Sequence, residues 1–364
     1  MWVQLPLRVN KYIIFFFFGD VLKLALYIKI KVLCIYYKSM FYALVLIFSS
    51  VIEGTNNLHN KKKKKKKLKL RYIMLSNWTE AKTSEAPRRR IAFYYQTFTQ
   101  HDNCLNDLDP RVTDLYVAAV HFGHDPVTKK PYIHLNDHPP PYFNTFFEDL
   151  DKVRNDVRVH VMIGGAGGGL APLIQKPTIY MPMLQSFLLY HDRITGINID
   201  VEEPGISTDD VCQLLQRLHE LFRGYELSLA PIASPASGTP YPKDTFQWSA
   251  FLQRQEANLV RTYLVQMYSD FTVDALNAFM RNKTLLSSNI LVGTISDQFK
   301  YRMKDLGTHY YNMLAAHPDL GGAFDWEMYD APSDWVDTVA NCHQQFIDDA
   351  EVDDWGVHDF CLLL

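Results

Sequence analysis

Gly196-Ile197-Asn198-Ile199-Asp200-Val201-Glu202-Glu203 is the stretch on which the reading of this chain turns. From Ile197 to Glu202 apolar and polar residues alternate. Successive side chains on a strand leave by opposite faces, so Asn198, Asp200 and Glu202 share one face and Ile197, Ile199 and Val201 the other. Three polar groups on the inner face of a closed barrel are costly unless they are used. The plainer alternative is a solvated strand end whose acids cap helix dipoles.

Outward from this stretch the chain repeats one pattern. Short apolar runs bounded by polar residues lie at 91–95, 115–120, 157–163, 197–201, 227–232, 263–268, 290–295 and 322–326, and each reads as a buried strand. Helix-period segments lie between them, at 143–153, 181–190, 273–280, 300–316 and 333–348. The clearest opens at Ser207, where Ser207 and Asp210 have the spacing of a capping box. Val211, Leu214, Leu215, Leu218, Leu221 and Phe222 then form one apolar stripe, and Gly224 stands where a helix stops. Eight such units suit an α/β fold of the (β/α)8 TIM-barrel type, a single domain of typically ~250 residues with its active site at the C-terminal strand ends. A doubly wound open sheet is the alternative, but the glycine fingerprint expected after its first strand is absent. The expected organisation is a leader and linker over 1–87, the barrel over 88–350, and an acidic and apolar tail over 351–364.

The chain has 364 residues, 48% hydrophobic and 21% charged, with a formal net charge of −3. The charge is unevenly spread. Residues 1–75 hold 15 Lys and Arg against two acids, Asp20 and Glu53; removing these from totals of 37 and 40 leaves 22 bases and 38 acids, a net of −16, in residues 76–364. So acidic a body argues against nucleic acid as a partner. The apolar content excludes intrinsic disorder, and 17 glycines exclude collagen. Five cysteines are no disulfide framework, and no Cys/His set has zinc-ligand spacing.

The leader, with Phe15 to Phe18 and the run Lys61 to Lys67, does not read as globular protein. Two readings stay open: translated non-coding sequence ahead of a true start near Met74, or a signal segment over 40–54, which would make the protein secreted rather than cytoplasmic. Lysines at 23, 29, 31 and 38 interrupt any run long enough to span a membrane. At the other end Cys361-Leu362-Leu363-Leu364 has the form of a prenylation signal, but an acidic rather than basic stretch precedes it. Asn77-Trp78-Thr79 and Asn282-Lys283-Thr284 are glycosylation sequons that matter only in a secreted chain. The glycine run 164–169 follows a strand but lacks the Lys-Ser/Thr of a phosphate loop, so it is read as letting a bulky sugar approach the backbone. His121 and His124 read as a loop surface rather than metal ligands.

The central stretch resembles the fourth strand of the family 18 glycoside hydrolases (chitinases and endo-β-N-acetylglucosaminidases), D-G-x-D-x-D-x-E, matched here by Thr195 through Glu202. Supporting segments follow in family order. Ile91-Ala92-Phe93-Tyr94 resembles the first strand, and Met162-Ile163-Gly164-Gly165 the end of the third. Gln266-Met267-Tyr268 resembles the Q-x-Y of the plant and fungal type, and Gly322-Ala323-Phe324-Asp325-Trp326 the eighth strand. The resemblance covers about residues 88–345. It implies a retaining, substrate-assisted hydrolysis of β-1,4-linked N-acetylglucosamine without metal or cofactor. Glu202 would be the general acid and then base, and Asp200 would orient the acetamide group of the sugar. Tyr268 would hydrogen-bond the acetamide carbonyl and Trp326 would floor the sugar. Tyr94, Gly164, Gly165, Asn198 and Gln266 would line the carbohydrate site. Three departures stand out. Asn198 replaces the middle acid and is expected to donate to Asp200 and favour its ionised form. Met162 replaces a serine, and Thr195 replaces the first Asp. A slower enzyme with a shifted pH profile follows. The alternatives are a barrel that binds such sugars without cleaving them, and an endo-β-N-acetylglucosaminidase acting on N-glycans. Loss of Asp200, Glu202 or Tyr268 would have favoured binding alone, and all three are present.

Overall fold

The computed structural model describes residues 4–9, 12–17 and 89–358, except 97–104, 106, 137–145, 148–149, 234–245 and 282–284; from residue 350 onward it describes backbone only. The signal-like segment, the lysine run, both sequons and the C-terminal Cys361 lie outside the described residues. The chain divides into two units, Met1–Glu85 and Ala86–Leu364. In the first, Gln4–Val9 pairs antiparallel with Tyr12–Phe17.

All eight expected strands are present in the second unit: β1 (Arg90–Tyr95), β2 (Asp114–His124), β3 (Arg158–Gly164), β4 (Ile194–Asp200), β5 (Glu226–Leu229), β6 (Thr262–Gln266), β7 (Ile290–Ile295) and β8 (Gly322–Trp326). Each pairs in parallel with the next, and β8 and β2 both pair with β1, so the sheet closes. This is the (β/α)8 barrel expected from the repeating pattern. Two side-chain layers follow from the strand period. Ala92, Tyr94, Tyr116, Met162, Leu264, Leu291 and Phe324 fill the interior. Ile91, Phe93, Val159, Ile197, Ile199, Val265 and Val292 face outward onto the helices. Burying each large apolar side chain contributes about 1.5–3 kcal/mol. Size alternates inside as well: a Cβ on Gly293 would lie 2.0 Å from Phe324 Cζ, so the missing side chain on β7 makes room for the ring on β8.

Several boundaries differ from the sequence pattern, each for a local reason. β2 extends to His124 because Pro131–Leu135 returns antiparallel along it, a hairpin that the mixed polarity of Pro-Tyr-Ile-His-Leu does not announce. β5 stops at Leu229 since Pro231 has no N–H for the ladder, and Ile232 keeps a single bridge to Gln266. The Thr208–Leu221 helix begins as expected: Ser207 Oγ accepts from Asp210 N at 3.1 Å, and Asp210 Oδ2 accepts from Ser207 N at 2.9 Å. Of the helix expected over 143–153, Phe146, Phe147 and Leu150 are helical among the described residues. The last helix, Trp335–His358, continues past the expected end at 348.

At the N-terminal strand ends an ionic cluster closes the barrel floor. Asp114 is fully buried and accepts from Arg90 Nε at 3.0 Å, Arg158 Nη2 at 2.9 Å and Thr113 Oγ1 at 2.6 Å, with His160 Nε2 at 3.2 Å. Arg90 also donates to Glu226 at 2.9 Å, Thr262 at 2.6 Å and Tyr116 at 2.8 Å. Burial by itself would raise the Asp114 carboxyl; Arg90, the hydrogen bonds from His160 and Arg90, and Arg158 hold it well below the usual carboxylate range.

Candidate active site

At the opposite rim, β4 delivers Asp200 at its last residue, with Glu202 two residues on. Asp200 is buried and Glu202 half-buried. From the end of β6, Gln266 Nε2 donates to Asp200 Oδ1 at 3.1 Å and to the Ala230 carbonyl at 3.1 Å. The two carboxyl groups are close enough for each to influence the other's titration. Among the described residues no arginine or lysine hydrogen-bonds this pair. Burial is the largest influence on Asp200, and the neighbouring Glu202 adds to it, so the Asp200 carboxyl sits well above its ordinary range despite the donation from Gln266. Glu202 is raised by burial too, with hydrogen bonds from Gln266 and Asp200 partly offsetting it. Such a pair titrates as a unit that holds one proton to higher pH than a free carboxyl would.

The aromatic residues converge on the same rim. The rings of Tyr94 and Trp326 lie 4.8 Å apart, and Tyr268 meets Phe324 edge-on at 6.5 Å. Tyr268 and Trp326 are partly buried against the interior layer, so each keeps an accessible part at the mouth. Burial and then the charge of Asp200 push the Tyr268 hydroxyl up, keeping it a hydrogen-bond donor. Gly164 and Gly165 have φ of 99° and 86°. A Cβ on Gly164 would lie 2.1 Å from the Asp200 carbonyl oxygen, and one on Gly165 would lie 2.6 Å from Met162 Cε and 3.7 Å from Asp200 Oδ2. Both glycines are therefore required for the backbone to lie against Asp200, and Gly165 N donates to its carbonyl at 3.0 Å.

Four expectations need correction. Asn198 does not donate to Asp200: its amide N–H donates to Ser228 Oγ at 3.0 Å, and its carbonyl accepts from the Tyr94 hydroxyl at 2.8 Å. It is a fully buried link from β1 to β5 beneath the site, and Asp200 is raised rather than favoured as an ion. Glu203 does what the plainer reading assigned to all the acids, since its carboxylate accepts from Leu170 N and Ala171 N and caps the Leu170–Gln175 helix. His121 and His124 lie on β2, not on a loop; His121 is buried, and Gly167 and Gly169 pack on it, a Cβ on Gly169 lying 2.8 Å from His121 Cα. These two glycines make room for that contact.

One acid at this rim escaped the sequence reading. Asp325, fully buried, accepts from Thr294 Oγ1 at 2.5 Å and lies within hydrogen-bond distance of Ser296 Oγ at 2.8 Å, both on or just past β7. Burial, opposed by those two hydrogen bonds and aided by Glu327 and Asp330, pushes its carboxyl up to about 7. The available signal was an acid at an outward-facing strand position, where Ile91, Phe93 and Ala323 are apolar. Among the described residues no group of three or more His, Cys, Asp or Glu could hold a metal ion, and no helix is long and apolar enough to cross a membrane.

The barrel is shared with solved structures of family 18 glycoside hydrolases. A chitinase of Aspergillus fumigatus is 23% identical, with a TM-score of 0.57, covering 67% of this chain and 94% of its own. A fungal endo-β-N-acetylglucosaminidase of glycosyl hydrolase family 18 is 22% identical, with a TM-score of 0.58, covering 70% and 97%. A family 18 chitinase of Pseudoalteromonas aurantia is 14% identical at a TM-score of 0.55, covering 70% and 99%. At this level of identity the likeness defines the fold class. No protein-family model and no curated protein matches the sequence.

Proposed function

We propose that this chain is a retaining glycoside hydrolase of family 18 type, cleaving β-1,4-linked N-acetylglucosamine in chitin or chitooligosaccharides. The observation that carries the reading is the neighbouring pair Asp200 and Glu202 at the C-terminal rim of the barrel, with Gln266 donating to Asp200, both carboxyls raised, and Tyr268, Tyr94 and Trp326 at the same rim. A carboxyl that burial holds above its ordinary range suits a general acid.

In this reading Glu202 gives its proton to the glycosidic oxygen as the bond from the anomeric carbon to that oxygen breaks. The acetamido oxygen of the same sugar forms the new bond to that carbon from the opposite face, giving an oxazolinium ion. Asp200 accepts from the acetamide N–H and offsets the positive charge. Tyr268 donates to the acetamide oxygen, and Trp326 supplies an apolar floor. Glu202, now ionised, takes a proton from the water that attacks the anomeric carbon, and the configuration is retained. The fungal endo-β-N-acetylglucosaminidase superposes as well as the Aspergillus chitinase, which supports N-glycan cores as a second substrate class for the same site.

The test compares the chain with Glu202→Gln on a soluble chitooligosaccharide, following product mass and anomeric configuration from about pH 4 to pH 8. Cleavage with retained configuration, reduced about 10²–10⁴-fold in the variant, is expected. Binding without cleavage in both proteins would sink the enzyme reading in favour of a sugar-binding barrel. Absence of both would move the substrate to N-glycan cores.

A further inference from the structure

Asp325 stands behind the site, on the face of β8 turned toward the helices. Phe324 packs in the barrel interior and Ala323 in the outer layer, so Asp325 follows Ala323 outward. Its hydrogen-bond partners among the described residues are hydroxyl groups, Thr294 Oγ1 and Ser296 Oγ. Thr294 Oγ1 accepts from Trp335 Nε1 at 3.0 Å and gives its single hydrogen to Asp325 Oδ1. Ser296 Oγ accepts from Glu327 N at 2.9 Å and faces two acceptors, Asp325 Oδ2 at 2.8 Å and the Glu327 carbonyl at 3.0 Å. Ser296 has one hydrogen and cannot serve both. If Asp325 is the neutral acid the account closes: Asp325 donates to Ser296, and Ser296 donates to the Glu327 carbonyl. Ser296 N also donates to the Trp326 carbonyl at 2.9 Å, so this one residue holds both sides of the turn that carries the floor tryptophan.

We propose that Asp325 is a positioning residue for the sugar site: as a neutral acid it donates to Ser296, and through Ser296 it clamps the Trp326–Glu327 turn. The meaning of Trp326 as a sugar floor rests on the glycosidase reading; the clamp itself does not. The charged groups that act on Asp325 are Glu327 and Asp330, both acids on the continuation of its own strand. β7 and the last helix present Thr294, Ser296 and Trp335, and the end of β6 presents Tyr268, whose hydroxyl feels Asp325. The carboxyl pushed up to about 7 agrees with the hydrogen count. Above that pH the Ser296 hydrogen turns to the carboxylate, the Glu327 carbonyl keeps only the donation from Asp330 N at 3.2 Å, and the turn loosens.

The full-length chain is compared with Asp325→Asn, whose amide can still donate to Ser296 and accept from Thr294 at every pH, and with Asp325→Ala. The folded carboxyl is raised above its unfolded value of about 3.9, so its stabilising contribution is full below that value and declines until the folded group titrates. The Tm of the wild type should therefore fall relative to Asp325→Asn from about pH 4 to pH 7 and run parallel to it above. Acrylamide quenching of Trp326, read by difference from Trp326→Phe, should increase above pH 7 in the wild type and not in Asp325→Asn. On a chitooligosaccharide the wild-type KM should rise about tenfold one pH unit above the midpoint, with the Asn variant flat and Asp325→Ala raised throughout. Parallel Tm curves over the whole range would overturn the neutral acid. A Tm titration with identical quenching in wild type and Asn variant would overturn the clamp. If no sugar is cleaved or bound, the glycosidase reading fails while the Tm and quenching results still decide this one.

Discussion

The two rims of the barrel are built from the same residue types and behave in opposite ways. At the N-terminal rim Asp114 is surrounded by Arg90, Arg158 and His160, and its carboxyl is held far below its ordinary range. At the C-terminal rim Asp200 and Asp325 are buried and Glu202 half-buried; among the described residues the hydrogen-bond partners of Asp200 and Asp325 are an amide and hydroxyls rather than cations, and all three carboxyls are pushed up. Burial is the largest single influence at both rims. What differs is whether positive charge was built in to answer it. The lower rim is a permanent ion cluster that ties β1, β2, β3, β5 and β6 together. The upper rim keeps protons that can move, which is what acid–base chemistry requires.

The comparison can be broken by removing one acid from each rim. Asp114→Ala leaves the buried Arg90 and His160, and the partly exposed Arg158, around an absent anion and should cost about 3–5 kcal/mol of stability, read by chemical denaturation. A loss under about 1 kcal/mol would mean that the cluster is solvated and the contrast false. Asp200→Asn should do the reverse: activity falls by about 10²–10³-fold while stability at neutral pH rises. The sign follows from the raised folded pKa. The contribution of Asp200 is full below about pH 3.9 and is lost as pH rises, so the Asn variant gains over the wild type toward pH 7 and gains nothing at about pH 3. Asp114 has the opposite slope, its contribution present above the ordinary carboxylate range and lost as pH falls. An Asp200→Asn chain that melts lower than the wild type at every pH would show the upper acid to be structural glue after all. The smallest effect separates neighbours on one strand end. Glu203→Ala removes the cap of the Leu170–Gln175 helix and should cost about 1 kcal/mol, a Tm drop of roughly 2–4 °C, with cleavage intact well below Tm.

The period-two alternation from Ile197 to Glu202 was enough to place Asp200 and Glu202 together, because a strand leaves its side chains no third direction. The eight apolar runs were legible for the same reason, and β7 and β8 fall at their expected bounds. The hairpin Pro131–Leu135 was not legible, since only its pairing with β2 makes a strand of so mixed a segment. Asn198 was placed on the correct face but given the wrong partner. Its nearest polar neighbour in sequence is Asp200, whereas in space Tyr94 and Ser228 reach it first across adjoining strands. Glu203 and Asp325 show the same limit. Both are acids beside the central motifs, and their roles depend on elements that come from elsewhere in the chain: the N-terminus of the Leu170–Gln175 helix for one, Thr294 and Ser296 for the other.

By itself, then, the sequence determined the strand period, the number of strands, and which residues share the inner face at the end of β4. Those are local properties of backbone geometry. Only the tertiary structure decided which acids meet cations and which do not, because Arg90 and Arg158 reach Asp114 through the closing of the barrel. Their absence from the other rim is also a fact of packing rather than of sequence. Proton affinity depends on everything within a few ångströms regardless of chain distance, so the chemistry of Asp200, Glu202 and Asp325 was set when the barrel closed.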